Sequence, residues 1–252
     1  MAFSDIEYRE MKPPAALVEF VESFWMLVNH SAAEQPVVLV PDGRVDTFFS
    51  CSAAEPYHVM LRGLDGGPGA QVVSGRITTF AISWKLLAVE YLLPVRLAGL
   101  LDGGCYLPPD FLGITEADLG NFDAFCAKAT ARIAQLIPPE IDARKRQLFD
   151  LLYASDGALP VEALAKAAGW SSRQINRYFT RMFGLSLKNY ANILRFRASL
   201  PQLKAGRLFP EENFADQAHF IREIKKYAGV VPKELARNQD DRFIQLSALP
   251  KK

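Results

Sequence analysis

The chain has 252 residues, half of them hydrophobic and 23% charged, a balance that suits globular domains and excludes a disordered polymer. It holds no run of eighteen apolar residues, and its opening MAFSDIEYREMK has no apolar signal core, so the expected compartment is the cytoplasm and no membrane partner is expected. The formal charge of +1 conceals a division: residues 1–139 carry nine basic and 16 acidic side chains, residues 140–238 carry 17 and ten, and the remaining tail nets +1.

Residues 1–112 are rich in β-branched and aromatic side chains punctuated by Gly and Pro, which predicts strands over 23–29, 37–40, 45–51, 58–61, 71–74 and 77–84. PDGR, Pro41 to Arg44, lies between two apolar runs and favours a hairpin. GLDGGPG, Gly63 to Gly69, has no following Gly-Lys-Ser/Thr and reads as a flexible loop, not a phosphate cradle. A helix is expected over 115–137, with Leu119, Phe122, Phe125, Cys126, Ala129 and Ile133 on one face. That face could form a dimer contact or cover the helix's own domain. Pro138 and Pro139 then mark a linker.

Beyond the linker, helical periodicity takes over and one pattern occurs twice. GWSSRQINRYFTRMFGLS and NFADQAHFIREIKKYAGVVP superpose with a 45-residue displacement that pairs Arg177 with Arg222, Phe179 with Ile224 and Gly184 with Gly229. In the first copy Ile175, Phe179 and Met182 form an apolar stripe, while Arg173, Gln174, Asn176, Arg177 and Thr180 take the rest of the surface. Leu159, Val161, Leu164, Ala165 and Ala168 give the preceding helix its packed face. Gly169 permits its stop, and Ser171 or Ser172 supplies the next N-cap, beside amides that can meet a phosphate. Arg, Asn and Gln are side chains that can contact base edges bidentately. Two such units in a net basic segment have the footprint of a nucleic-acid binder.

Residues 145–238 resemble the DNA-binding domain of the AraC/XylS transcriptional regulators. The resemblance rests on LPVEALAKAAGWSSRQINRYFTRMFGLS, LKNYANILRFRASLPQL and FADQAHFIREIKKYAGVVPKEL. It implies that one long helix, residues 187–203, joins two units whose reading helices enter successive major grooves, about 34 Å apart. It also implies base-edge or backbone roles for Ser172, Arg173, Gln174, Asn176, Arg177 and Lys188, and for Gln217, Ala218, His219, Ile221 and Arg222. Read from its neighbours alone, His219 is a locally packed residue near a capping Asp216. The second unit departs from the family: KAGRLFPEEN is too short and aperiodic for a support helix, Pro210 disfavours one, and Asn213 stands where glycine is usual.

In the N-terminal half, FVESFWML followed by VLVPDGRVDTFFS resembles the sensor domain of one subgroup of these regulators. The implied effector-pocket residues are Asp42, Arg44, Asp46, Trp25, Phe49 and Trp84, against the plainer reading in which Asp42 and Gly43 are turn residues and the aromatics are core.

The expected fold is therefore α+β in two domains: a cupin-like β barrel with flanking helices over 1–139, an all-α double helix-turn-helix domain with a shortened second unit over 140–238, and a tail over 239–252. The expected function is sequence-specific transcription regulation, with double-stranded DNA as partner. The resemblance admits a small-molecule effector, RNA polymerase and a second copy of the chain as further partners. No metal or cofactor is expected, since His30, His58 and His219 are scattered and Cys51, Cys105 and Cys126 read as reduced, packed thiols. No catalytic set is seen: Gly-x-Ser-x-Gly is absent, and Glu211 and Glu212 are adjacent and would diverge on a helix. Two readings compete: a cupin-like enzyme with an appended helix-turn-helix module, and a protein-interaction module that has lost DNA binding. The missing histidine cluster argues against the enzyme.

Overall fold

Register explains the N-terminal half. The computed structural model describes residues 5–209, 214 and 216–249. Its main sheet has six antiparallel strands in the order β1-β2-β7-β4-β5-β8, with β1 Ile6–Met11, β2 Val21–Asn29, β4 Val45–Cys51, β5 His58–Arg62, β7 Thr78–Trp84 and β8 Gly104–Leu107. A separate two-stranded sheet pairs β3 Gln35–Leu39 with β6 Gly69–Val73. Because strand side chains alternate, each cross-strand row belongs to one face. Met26, Phe80, Phe49 and Val59 form one such row. They face the core, where the Phe49 and Phe80 rings meet Phe125 edge-on at 5.4 and 5.3 Å. Trp25, Ala81, Phe48 and Met60 form the neighbouring row on the opposite face, beside Ser83, Asp46 and Arg62.

Four expectations about this half are corrected. The two sheets do not close into a barrel. PDGR is not a hairpin turn, because β3 pairs with β6 whereas β4 pairs with β5 and β7. The Asp42 carboxylate instead accepts from the Arg44 amide at 3.0 Å, and Gly43 turns the chain at φ +74°. A Cβ on Gly43 would meet Leu194 at 3.1 Å and Tyr190 at 3.3 Å, so glycine serves here both for its φ and for the close approach of a helix. The GLDGGPG loop is tied down, its Gly66 amide donating to Asp102 at 2.7 Å. The helix expected over 115–137 divides into a 3-10 turn, Glu116–Gly120, and α2, Phe122–Leu136, which lies on its own sheet. A short α1, Leu86–Tyr91, follows β7.

The C-terminal half is helical: α3 Ala143–Ala154, α4 Val161–Ala167, α5 Ser172–Phe183, α6 Leu187–Lys204, α7 Gln217–Ala228 and α8 Pro232–Arg237. The two repeated units are α4–α5 and α7 with its flanks, and the long α6 joins them. Both α5 and α7 stop at a left-handed glycine, Gly184 at φ 77° and Gly229 at φ 73°. Burial refines the stripe on α5: Ile175, Phe179 and Phe183 are fully buried and Met182 is half-buried, a four-residue step. Ile224 is buried like Phe179, and Arg222 is exposed like Arg177. Among the described residues no helix lies between Lys204 and Gln217, while Pro210, Glu211, Glu212 and Asn213 lie outside them. No helix among the described residues is long and apolar enough to cross a membrane.

The segment after α8 does not hang free. A 3-10 turn, Gln239–Asp241, leads into α9, Ile244–Ala248. Phe243 is buried and bridges to Val38 of β3 in parallel register. The Gln245 amide clasps Val40, accepting from its N–H at 3.1 Å and donating to its carbonyl at 2.9 Å.

Candidate nucleic-acid interface and interdomain cleft

The outward face of α5 is built by its cap. Ser171 and Gln174 form a capping box, the Gln174 amide donating to Ser171 Oγ at 3.3 Å and the Ser171 amide donating to Gln174 Oε1 at 2.9 Å. Asn176 is half-buried and donates to the Ser172 carbonyl at 2.9 Å. Gln174 and Asn176 are therefore partly engaged with their own helix, whereas Arg173, Arg177, Thr180 and Arg181 are exposed. Ser172 is half-buried, and Lys188 is exposed in the first turn of α6, which Ser186 caps.

On α7 the Asp216 carboxylate accepts from the His219 amide at 2.7 Å. Gln217, Ala218 and Arg222 are exposed and Ile221 is half-buried. The half-buried His219 ring meets Phe214 edge-on at 5.7 Å. Both α5 and α7 pack their inner faces toward α6: Phe179 lies 6.0 Å from Tyr190, and Tyr227 lies 5.4 Å from Phe196.

The halves meet through polar contacts as well as core. Glu90 on α1 accepts from Lys145 at 2.5 Å and from Tyr178 Oη at 2.8 Å, and Glu19 accepts from Arg146 at 2.9 Å. Burial and the adjacent Glu90 carboxylate push the Tyr178 hydroxyl well above the ordinary tyrosine range, keeping it a donor. A hydrogen-bonded chain runs from the Leu86 amide to Tyr153 Oη at 2.9 Å, across to Tyr190 Oη at 3.1 Å, and on to the Gly43 carbonyl at 2.8 Å. The fully buried Tyr190 thus pins the Pro-Asp-Gly turn to α6.

Beside that turn lies a cleft of about 340 Å³, within the range of small-molecule sites. One wall is the sheet face carrying Tyr8, Trp25, Asp46, Phe48 and Arg62. The other comes from Arg197, Ala198, Leu200 and Pro201 of α6 and from Ile244, Gln245, Ala248 and Leu249. Of the six residues named from sequence for an effector pocket, Trp25, Asp42, Arg44 and Asp46 line this cleft. Phe49 and Trp84 do not: strand parity puts them on the core face, at 0% and 1% exposure, with Trp84 Nε1 donating to Thr47 at 2.8 Å. Phe48, Tyr8, Glu10, Glu22, Arg62, Asp65 and Arg197 also line it and were missed. Stepping by two from Asp46 would have found Phe48; the others arrive from distant elements and left no local signal.

Charges in the cleft are paired unevenly. Arg62 grips Asp65 at 3.2 and 2.7 Å, Arg44 lies 3.6 Å from Asp42, and Arg197 lies 3.7 Å from Glu22. Burial opposes the charge on Arg44, but Asp42, Asp46, Glu22 and Glu10 outweigh it and hold that guanidinium above the usual arginine value. Glu22 is disfavoured by burial, yet Arg197, Arg44, Lys12 and Lys85 pull it below the usual carboxylate value. Asp46 behaves oppositely. Burial and the neighbouring Asp42 push it up to about 7, against the lowering effect of Ser83, Arg44 and Trp25. Its hydrogen bond comes from Ser83 Oγ, which in turn accepts from Trp25 Nε1 at 3.1 Å.

Comparison with known proteins divides the chain similarly. Residues 164–238 match the family model described as a helix-turn-helix domain, and residues 9–105 match one described as a domain of unknown function, DUF6597. No curated protein matches. Among solved structures, an apo variant of ToxT from Vibrio cholerae is 12% identical, with 92% of this chain and 96% of that chain covered at a TM-score of 0.41. Wild-type ToxT from the same organism with bound unsaturated fatty acid is 10% identical, with 98% and 97% covered at a TM-score of 0.40.

Proposed function

We propose that this protein is a sequence-specific DNA-binding transcription regulator of the AraC type, whose operator affinity is set by a small molecule held in the interdomain cleft; the match of residues 164–238 to a helix-turn-helix domain supports the DNA-binding half of that reading. The observation that carries this reading is that α6 serves two sites: it joins the two helix-turn-helix units, and its Arg197, Ala198, Leu200 and Pro201 wall the cleft. A ligand that favours one placement of α6 against the sheet changes the placement of both reading helices. Residues 1–139 act as the sensor, residues 140–238 bind DNA, and the segment after 238 closes the cleft. RNA polymerase and a second copy of the chain are the further partners of a regulator of this kind.

Within the reading face, Arg173 and Arg177 are the base-contact candidates and Lys188 is a phosphate contact, with Gln217, His219 and Arg222 as their counterparts on α7. Selection from a random DNA pool identifies the operator. Arg173→Ala is then expected to relax base preference at one position and to cost about 1–3 kcal/mol. Lys188→Ala is expected to weaken all sequences alike and to lower the salt slope by about one. An Arg173→Ala protein that selects the same sequences with the same stringency would remove Arg173 from the base-reading set. A flat salt dependence of the wild type would favour the protein-interaction reading.

The cleft is tested separately by filling it. Ala198→Phe adds a ring to the α6 wall of the cleft. Operator affinity is expected to shift 5-fold or more, in line with usual allosteric couplings. Unchanged affinity in a variant that melts like the wild type would disconnect the cleft from DNA binding.

A further inference from the structure

We propose that the ligand of the interdomain cleft is an organic monocation, an ammonium group carried on an apolar or aromatic body; this rests on the reading of the cleft as the effector site. Five carboxylates line the cleft, those of Glu10, Glu22, Asp42, Asp46 and Asp65, against the three guanidiniums of Arg44, Arg62 and Arg197. Asp42, Asp65 and Glu22 each have one of these arginines as a neighbour, and from outside the lining Lys12 reaches Glu10 at 3.4 Å and Glu22 at 3.6 Å while Lys85 reaches Glu22 at 3.9 Å. Among the described residues Asp46 has no cation within ion-pair distance. An unpaired carboxylate is therefore left at one place, Asp46.

That place is walled by aromatic rings. Asp46 sits on the sheet face beside Trp25 and Phe48, whose rings lie 5.6 Å apart, with Tyr8 beyond at 6.2 Å from Trp25. Aromatic faces attract cations through their quadrupole, most strongly where water is excluded, and tryptophan is the best of them. The opposite rim, Leu39, Leu200, Pro201, Ile244 and Ala248, is apolar and suits the ligand's body. An anion is poorly placed here. Arg44, whose Nε has no acceptor, already faces Asp42, Asp46, Glu22 and Glu10, and an added negative charge would have to enter among those four carboxylates.

Titration calorimetry on the full-length protein at pH 8 with three matched probes tests the charge preference: 2-phenylethylammonium, 2-phenylethanol and phenylacetate. The ammonium probe is expected to bind at least 10-fold more tightly than the other two. In Asp46→Asn that advantage is expected to fall below 3-fold, while 2-phenylethanol binds as to the wild type. Equal or tighter binding of phenylacetate or 2-phenylethanol overturns the cation class but leaves the cleft as the effector site. An ammonium preference that survives Asp46→Asn overturns the assignment to Asp46. If none of the three binds, the inference falls, and the response of operator affinity to Ala198→Phe decides separately whether the cleft controls DNA binding.

Discussion

Truncating Phe179 to alanine is expected to remove about 3–5 kcal/mol of folding stability, the usual cost of deleting a fully buried aromatic ring. Phe179 is 0% exposed and lies within 5.1–6.0 Å of Phe183, Tyr178, Phe149 and Tyr190. It therefore ties α5 to α3 through Phe149 and to α6 through Tyr190. A domain has only about 5–15 kcal/mol to lose, so the first helix-turn-helix unit should loosen and specific DNA binding should fail with it. Arg177→Ala, two residues earlier on the exposed face, is the contrast: stability within about 0.5 kcal/mol of wild type, DNA binding impaired. Urea unfolding of both variants makes the comparison. A Phe179→Ala protein less than 1 kcal/mol destabilised would contradict the packing described for α5.

The second large effect concerns acidity. Asp46 has its ordinary value of 3.8 raised to about 7 in the fold. A carboxyl whose pKa is higher folded than unfolded contributes stability below pH 4, and that contribution is lost as pH climbs through 7. The ionised wild type at pH 8 thus carries a burden that Asp46→Asn does not, with a ceiling of roughly 4 kcal/mol at ~1.4 kcal/mol per pKa step. The asparagine variant is expected to be the more stable protein at pH 8, and the gap should close as the pH is lowered toward 4. Its Oδ1 can still accept from Ser83. Denaturation curves at pH 5, 6, 7 and 8 measure the gap, and a variant weaker than wild type at pH 8 would show that Asp46 is ionised and well compensated.

What the sequence made legible was local. The repeated unit could be read because a four-residue apolar step, a capping serine and a terminal glycine all lie within one helix, and Gly184 and Gly229 adopt the left-handed turns their positions suggested. Strand Val45–Cys51 was legible to the residue because β-branched and aromatic side chains fill it, burial alternating from Val45 through Phe49. β1 was missed because IEYREM mixes charges into an edge strand, and β8 because GCYL is four residues long and begins with glycine. PDGR has the chemistry of a turn, but whether a turn makes a hairpin depends on which strands pair, and β3 finds its partner beyond β5. Naming Phe49 rather than Phe48 for the pocket was an error of one residue, which on a strand is an error of face. The cleft was only partly legible, since its walls come from both ends of the chain.

The clasp of Gln245 on Val40 spans 205 residues of sequence and has a practical corollary for anyone dividing this protein. Cutting at the proline linker would leave Phe243 attached to the DNA-binding fragment with its seat on β3 removed, and would strip the sensor fragment of one side of its pocket. Each excised piece would present bare apolar surface that the intact chain covers. Such fragments should clump in solution, and their behaviour would say little about the parent protein.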